Sequence, residues 1–216
     1  MLRKIKLQNS TLIIIGILVI STGFIIGFYE FFEERKNKTF SEMNILLYEN
    51  ELPENKEQPV LEEKEEINES QHQEDVIIDN KKTEFDYIGY LEIPKINLKA
   101  GFLDINSKYN NVDKNVTIIR GSTMPDEKNN NLILAAHSGT CSYCYFNKLY
   151  KLKKGDKAYL SYKDIKQKYE IVNIYEEEKD GTVAIYRDYS KKTLTLITCT
   201  RNSDTKQTVY ILELVK

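Results

Sequence analysis

A cysteine and an arginine close one β-branched segment of the chain, and a histidine closes another. In TLTLITCTR, residues 193–201, strand alternation places Cys199 and Arg201 on the same face. A cation beside a thiol favours the thiolate, which is the nucleophilic form of cysteine. The competing interpretation is that Cys199 is a small buried hydrophobic residue.

His137 follows the apolar segment NLILAA, so we expect it at the mouth of a sheet rather than inside it. It is the only histidine of the predicted folded domain, since His72 lies in an acidic segment before that domain. A single histidine is more often structural than catalytic, but here a strand-end histidine accompanies a strand-end cysteine. Cysteine acyl transfer needs a thiolate, a proton donor for the leaving amine and an oxyanion stabiliser. Cys199, His137 and Arg201 are our candidates for these roles.

Positioning these side chains requires a β domain, which we place at residues 85–216. Its short β-branched and aromatic segments are separated by clusters of Asn, Asp, Gly and Lys. One helix is predicted over 145–153, where Phe146, Leu149, Tyr150 and Leu152 lie near one face. This pattern predicts a mainly β fold, either a closed barrel or a sandwich. The predicted strands cover residues 87–93, 96–103, 116–120, 131–136, 157–162, 167–175, 193–199 and 207–214.

An uncharged segment precedes the domain at residues 11–29 and follows a basic start, residues 1–10. At about 1.5 Å per residue the uncharged segment spans roughly 28 Å, close to the hydrocarbon thickness of a bilayer. A cleaved signal peptide is the alternative, but its apolar core is usually about 7–15 residues long. We therefore predict a transmembrane anchor at 11–29 with a cytoplasmic tail at 1–10, and everything after residue 30 outside the cell.

Charge divides the rest of the chain, although the total for 216 residues is only −2. Residues 30–84 carry a net charge of −10, which predicts an acidic extracellular stalk or, as the alternative, an acidic partner-binding segment. The apolar run MNILLYE favours short helical stretches around 40–50. Residues 85–216 carry only +5, and the near-zero total argues against nucleic-acid binding.

Four segments of the domain, in chain order, resemble the sortase family of membrane-anchored cysteine transpeptidases from Gram-positive bacteria. The resemblance covers essentially all of 85–216 and implies a closed barrel of about eight strands with one or two short helices. The outline is similar to class A or class D, because the 17 residues between the predicted strands 167–175 and 193–199 are too few for the helical insertion of the sortase B type. The segments are IGYLEIPKINLKAGF (88–102), NLILAAHSG (131–139), YFNKLYKLKKGD (145–156) and TLITC (195–199).

The resemblance also implies an activity, with roles for individual residues. A sortase cleaves a C-terminal sorting signal of the LPxTG kind on a secreted protein, at the plasma membrane. It joins the acyl group, through a thioester on Cys199, to a peptidoglycan amine, with His137 as proton donor and acceptor and Thr198 in the substrate pocket. Two alternatives stay open: a cysteine peptidase that uses water, and an anchored binding module with a decayed site.

The family's arginine, which polarises the scissile carbonyl, usually opens the strand after the cysteine. This chain has Lys206 and Gln207 there instead. Arg201 is our candidate for the role, and the alternatives are Arg120 and Arg187.

We predict no cofactor. The motif CSYC at 141–144 could be a redox pair or half of a zinc site, but no second half is present. We expect Cys141 and Cys144 to be unpaired in a loop near His137, with a surface disulfide as the alternative. Some sortases bind Ca²⁺ through acidic loops. We expect the acidic run 176–178, formed by Glu176, Glu177 and Glu178, to be solvated at the start of a loop, with a Ca²⁺ site formed by these residues as the alternative.

Overall fold

The computed structural model describes residues 9–51 and 86–215, which form one long helix and an eight-stranded sheet. All eight predicted strands are present, most within one or two residues of the predicted ends, while the strand predicted at 167–175 is longer. The helix is α1 (Asn9–Glu51), and the strands are β1 (Gly89–Ile93), β2 (Leu98–Phe102), β3 (Thr117–Ile118), β4 (Asn131–Ala135), β5 (Lys157–Tyr162), β6 (Ile165–Glu178), β7 (Thr193–Cys199) and β8 (Lys206–Leu214).

The sheet is a nearly closed barrel. Its strand order is β2-β1-β5-β6-β8-β7-β4-β3, and a bridge between Phe102 and Val116 links the end of β2 to the residue before β3. Every strand pair is antiparallel except β4 and β7, which run parallel. The prediction of a mainly β barrel of about eight strands is confirmed.

Strand alternation separates two apolar faces of the barrel wall. In β7, Leu194 and Leu196 are fully buried in the barrel interior with Phe102 and Tyr169. Ile197 belongs to a second cluster on the other face, together with Val209 of β8. The predicted alternation of β7 is therefore confirmed from Leu194 to Ile197.

The predicted helix over 145–153 is wrong, because only a 3₁₀ turn at Leu149–Lys151 forms there. Backbone bonds join residues three apart, as in Leu152 N–H to the Leu149 carbonyl at 2.9 Å. Phe146, Leu149 and Leu152 are buried, so the apolar spacing is three, the 3₁₀ period. Tyr150, which we placed on the apolar face, is exposed instead.

Helix α1 contains the predicted anchor and continues through the first part of the predicted stalk to Glu51. Its last turns pack against β1 and β2, where Ile45 and Tyr48 are buried with Tyr87, Tyr90 and Leu103. Within residues 9–51 and 86–215, no helix combines the length and apolarity required to cross a bilayer. The remainder of the predicted stalk, residues 52–84, and most of the predicted tail lie outside the described residues.

Candidate active site

The parallel pairing of β4 and β7 brings the two strand-end residues together. The register pairs Asn131 with Thr193 and runs to Ala135 with Ile197. Continued by two residues, the same register sets His137 opposite Cys199. Side chains at parallel carboxyl ends project toward a common edge of the sheet, which is where such sheets commonly place their sites.

Side-chain hydrogen bonds fix this register at both ends of the strand pair. At the site end, the Thr198 hydroxyl donates to the Ala136 carbonyl and the Ser138 hydroxyl donates to the Cys199 carbonyl, both at 2.8 Å. At the opposite end, Asn131 Oδ1 accepts from the hydroxyls of Thr193 and Thr195, at 3.0 and 2.8 Å. A slip by one residue would break these bonds and turn every side chain to the wrong face.

Cys199 is a free, half-buried thiol on the wall of two neighbouring cavities. The larger cavity is about 750 Å³ and is also lined by His137, Cys141, Tyr143 and Arg201. The smaller cavity is about 310 Å³ and has Phe146, Tyr150, Thr198 and Tyr210 on its walls. We call them the histidine cavity and the tyrosine cavity. The thiol therefore lies at the junction of two spaces that a peptide substrate could enter.

His137 is held by two neighbours from different loops. Its Nε2 lies 3.0 Å from Asp113 Oδ1, and its ring meets the Tyr143 ring edge-on with centroids 5.9 Å apart. A carboxylate offers only acceptors, so the Nε2–H group donates to Asp113. This bond orients the imidazole and leaves the lone pair or proton of Nδ1 for chemistry.

Residues 91–215 match the family model of the Sortase domain, which is more than half of the chain. The chain belongs to the sortase family. It is 34% identical to sortase D of Bacillus subtilis (strain 168) over 113 residues, which are 51% of this chain and 53% of that relative. It is 28% identical to sortase A of Bacillus anthracis over 117 residues, 54% of each chain. The chain thus spans about half the length of the curated relatives it matches.

Solved structures support the same fold. The crystal structure of sortase C from Streptococcus pneumoniae superimposes with a TM-score of 0.54 at 24% identity, covering 60% of this chain and 69% of that chain. The two curated relatives, a sortase D and a sortase A, are consistent with the class A- or D-like outline expected from the sequence.

Arg201 of this sortase domain lies in the turn after β7 and lines both cavities with Cys199. Its guanidinium carbon stands 4.2 Å from the centre of the Tyr150 ring, so the planar group is stacked on an aromatic face. β7 ends at Cys199, so the shared space results from this turn and not from continued strand alternation.

The two alternative arginines lie away from the thiol. Arg187 Nη1 lies 3.2 Å from the hydroxyl of Thr193, the first residue of β7. Six residue steps at about 3.3 Å each separate that end of the strand from Cys199 by roughly 20 Å. Arg120 follows Ile119, whose N–H bonds to the Ile133 carbonyl in β4, and so lies beside the amino half of that strand.

Gln207 occupies the β8 position directly opposite Cys199, where the sequence comparison with the family expects an arginine. Its amide nitrogen donates to the carbonyls of Glu178 and Thr182, at 3.3 and 3.1 Å. The side chain therefore links the segment after β6 to the strand position opposite Cys199.

Cys141 and Cys144 form a disulfide, so the expectation of two unpaired cysteines is wrong and the alternative is correct. The bond closes a tight turn in the loop between His137 and Phe146, in which the Phe146 N–H donates to the His137 carbonyl at 3.0 Å. A Cβ at Gly139 would approach Cys144 Sγ to 3.3 Å, which explains a residue without a side chain there. The disulfide thus packs within the histidine cavity wall, and the cysteines are not free to bind zinc.

The acidic run 176–178 lies within β6, so its placement at the start of a loop is wrong. Successive strand residues point to opposite faces, and the three carboxylates therefore do not converge on one ion. Glu176 lies 3.8 Å from the Lys206 ammonium instead. No group of three or more His, Cys, Asp or Glu side chains in the described part of the chain is arranged to hold a metal ion.

Sequence reasoning missed four side chains of the site: Asp113, Ser138, Tyr143 and Tyr150. Ser138 could have been found, because it directly follows His137 and hydroxyls near strand ends commonly bond to backbone. Asp113 lies in the turn segment NNVDKN, 24 residues before the histidine, and nothing in that pattern indicates its partner.

Proposed function

We propose that this sortase is a cysteine transpeptidase. It cleaves a sorting signal of the LPxTG kind in a secreted protein and joins the acyl group to an amine of the cell wall. The observation that carries the proposal is the parallel β4–β7 register, which sets Cys199 beside His137 on one cavity of about 750 Å³. No other free thiol exists within the described residues to form an acyl-enzyme.

In the first half-reaction, the Cys199 thiolate attacks the scissile carbonyl of the sorting signal. His137, oriented by Asp113, protonates the leaving amine as the carbon–nitrogen bond breaks. Arg201 stabilises the oxyanion that develops on the carbonyl oxygen. Its stacking on Tyr150 and its position in both cavities support this role.

In the second half-reaction, an amine replaces the departed peptide. The amine nitrogen attacks the thioester carbon, the carbon–sulfur bond breaks, and His137 moves the proton from nitrogen to the Cys199 sulfur. Apart from the two substrates, every group that takes part in these steps is a side chain of the protein, so the proposal needs no cofactor.

The tyrosine cavity is the proposed site for the part of the signal that precedes the scissile bond. Its walls combine Phe146 and two tyrosines with the buried Thr198, a lining that suits apolar peptide side chains. Burial raises the pKa of Tyr210 to about 12, so its hydroxyl stays neutral and is available for a hydrogen bond. Thr198, bonded to Ala136, keeps this wall in register with the thiol.

Attachment to the plasma membrane is part of the proposal. The large apolar side chains of α1 from Ile13 to Phe28 are 46–77% exposed, which is costly in water but favourable in lipid. Arg3, Lys4 and Lys6 precede them and favour a cytoplasmic amino terminus. The catalytic domain is then on the outer side, where sorting signals and peptidoglycan amines occur.

The test is incubation of the full-length chain with a peptide bearing an LPxTG-type motif and a primary amine, followed by mass spectrometry. We expect a ligated product, and an acyl-enzyme thioester that is lost in Cys199→Ala. Hydrolysis without ligation would replace the proposal with a cysteine peptidase. Peptide binding without any cleavage would replace it with a binding module. A library of peptides varied at each position then defines the preferred motif.

A further inference from the structure

Three positively charged side chains surround the opening of the tyrosine cavity. Lys148, Lys151 and Arg201 line this cavity and are exposed to solvent. Buried side chains, such as Phe146 and Tyr210, form its floor. No Asp or Glu of the described residues is among its walls. The cavity assigned to the sorting signal therefore has an uncharged floor and a cationic opening, and we call its three cations the basic rim.

The 3₁₀ turn after Lys148 places two of these cations on one side of the chain. The Lys151 N–H donates to the Lys148 carbonyl at 3.0 Å, so the two lysines are one such turn apart. Side chains three residues apart eclipse each other in a 3₁₀ turn. Leu149 and Leu152 have the same spacing, and both are buried. The turn therefore directs its leucines into the core and both lysines to the opening of the cavity.

Tyr150 brings the third cation close to this pair. The Arg201 guanidinium carbon lies 4.2 Å from the centre of the Tyr150 ring, and the Lys151 ammonium nitrogen lies 5.8 Å from the same centre. In the described part of the chain, no carboxylate oxygen lies within 4.0 Å of any cation of the basic rim. Like charges without a counter-charge repel each other and attract anions. A ligand that brings a carboxylate to this opening is therefore favoured.

We infer that the basic rim selects sorting signals that carry Glu or Asp at the variable position x of the LPxTG-type motif. The inference rests on the proposed transpeptidase function and deepens it by defining the preferred substrate. The middle residue of the motif is x, so it lies no more than two residues, roughly 7 Å in an extended peptide, from a scissile bond within the motif. With that bond beside Cys199 and Arg201, the side chain of x meets the two lysines, while apolar side chains of the signal occupy the floor.

The experiment compares cleavage by the full-length chain of LPxTG-type peptides that differ only at x, which is Glu, Gln or Lys. We expect kcat/KM to fall about two- to fivefold from Glu to Gln and again from Gln to Lys, as is usual for exposed ion pairs. In 1 M NaCl, where the Debye length is about 3 Å, these differences should largely disappear. A fourth peptide has Gln at x and a Glu several residues before the motif. Its net charge equals that of the Glu peptide, but it should behave as the Gln peptide does.

Charge reversal of the lysines tests their part directly. Lys148→Glu with Lys151→Glu should invert the order, so that the Lys peptide has the highest kcat/KM. Lys148→Gln with Lys151→Gln should reduce the differences among the three peptides. Lys154→Glu is the matched control, because Lys154 is exposed three residues further on and lines neither cavity beside the thiol; it should keep the wild-type order. Equal kcat/KM for all peptides, or an unchanged order after charge reversal at both lysines, would overturn the inference.

Peptide binding separates this inference from the proposed function. Affinities of fluorescently labelled peptides for full-length Cys199→Ala, measured by anisotropy, should follow the order Glu, Gln, Lys. This order without cleavage of any peptide by the wild type would overturn the transpeptidase proposal and keep the basic rim as a selective site. Thioester formation with equal rates and equal affinities for all three peptides would overturn the selection and keep the transpeptidase. A fourth peptide as good as the Glu peptide would also overturn it, since only general attraction of charge would remain.

Discussion

Removal of the Arg201 guanidinium perturbs the proposed oxyanion site without touching the thiol or the imidazole. Arg201→Ala should lower turnover about 10²- to 10³-fold, the usual effect of losing one oxyanion donor. Peptide binding should weaken much less, because charge develops on the carbonyl oxygen only in the transition state. Arg201→Lys should restore activity in part, since an ammonium lacks the planar donor arrangement.

Tyr150, on which Arg201 stacks, allows a second prediction, in which the expected loss of turnover is smaller. The guanidinium lies 4.2 Å from the Tyr150 ring centre, and Tyr150 is 48% exposed. An exposed cation–π contact contributes about 0.5–1 kcal/mol, which corresponds to a two- to fivefold change in the population of the stacked arginine. Tyr150→Leu should therefore lower turnover two- to fivefold, while Tyr150→Phe keeps the ring face and should retain it.

The assay is steady-state ligation, with turnover and KM determined separately for each variant. Arg120→Ala is the matched control, because Arg120 lies beside the amino half of β4 and should keep wild-type turnover. The argument is refuted if Arg201→Ala stays within about threefold of wild type. A collapse of Arg120→Ala with normal Arg201→Ala turnover would transfer the role to Arg120. Equal losses in Tyr150→Leu and Tyr150→Phe would show that the ring face is not what holds the guanidinium.

Three further changes test other parts of the site. Asp113→Ala should lower turnover about fivefold, as expected for about 1 kcal/mol of hydrogen bonding to His137, with Asp113→Asn intermediate; unchanged turnover in both would contradict the orienting role. The double change Cys141→Ser with Cys144→Ser should leave most ligation activity, and inactivity with intact folding by circular dichroism would contradict this. Asn131→Ala should lower the free energy of unfolding by about 1–3 kcal/mol in urea titration, because the buried Thr195 hydroxyl loses its acceptor; an unshifted midpoint would count against it.

The sequence predicted the barrel well because its strands obey a local rule. In β7 the apolar and polar positions alternate, and Leu194 and Leu196 face the interior as this alternation requires. The same kind of local rule gave a wrong prediction at 145–153, because apolar residues three apart fit a 3₁₀ turn as well as one turn of α-helix. Local spacing could not distinguish them without the contact of Phe146 with the His137 backbone.

The residues of the site also differ in whether local sequence patterns could predict them. Cys199 and His137 were predictable because each ends a recognisable strand, and parallel pairing then brings them together. Asp113 was not predictable, because its contact with His137 depends on the path of a loop, and long-range packing determines that path. The Cys141–Cys144 bond was also missed as the first choice, since a spacing of two residues between cysteines is compatible with free thiols, a disulfide or a metal site.

The β4–β7 pairing also governs when the site is assembled during synthesis of the chain. These neighbours are 62 residues apart in the chain, and β7 is additionally paired with β8, which ends at Leu214. Contacts of this separation form late, because the entropy of closing a long loop must be overcome before they stabilise anything. A chain that has not yet released β8 holds Cys199 without a fixed histidine beside it. Cys199 and His137 are thus brought together late, once β7 and β8 have been synthesised and have paired with β4 and with each other.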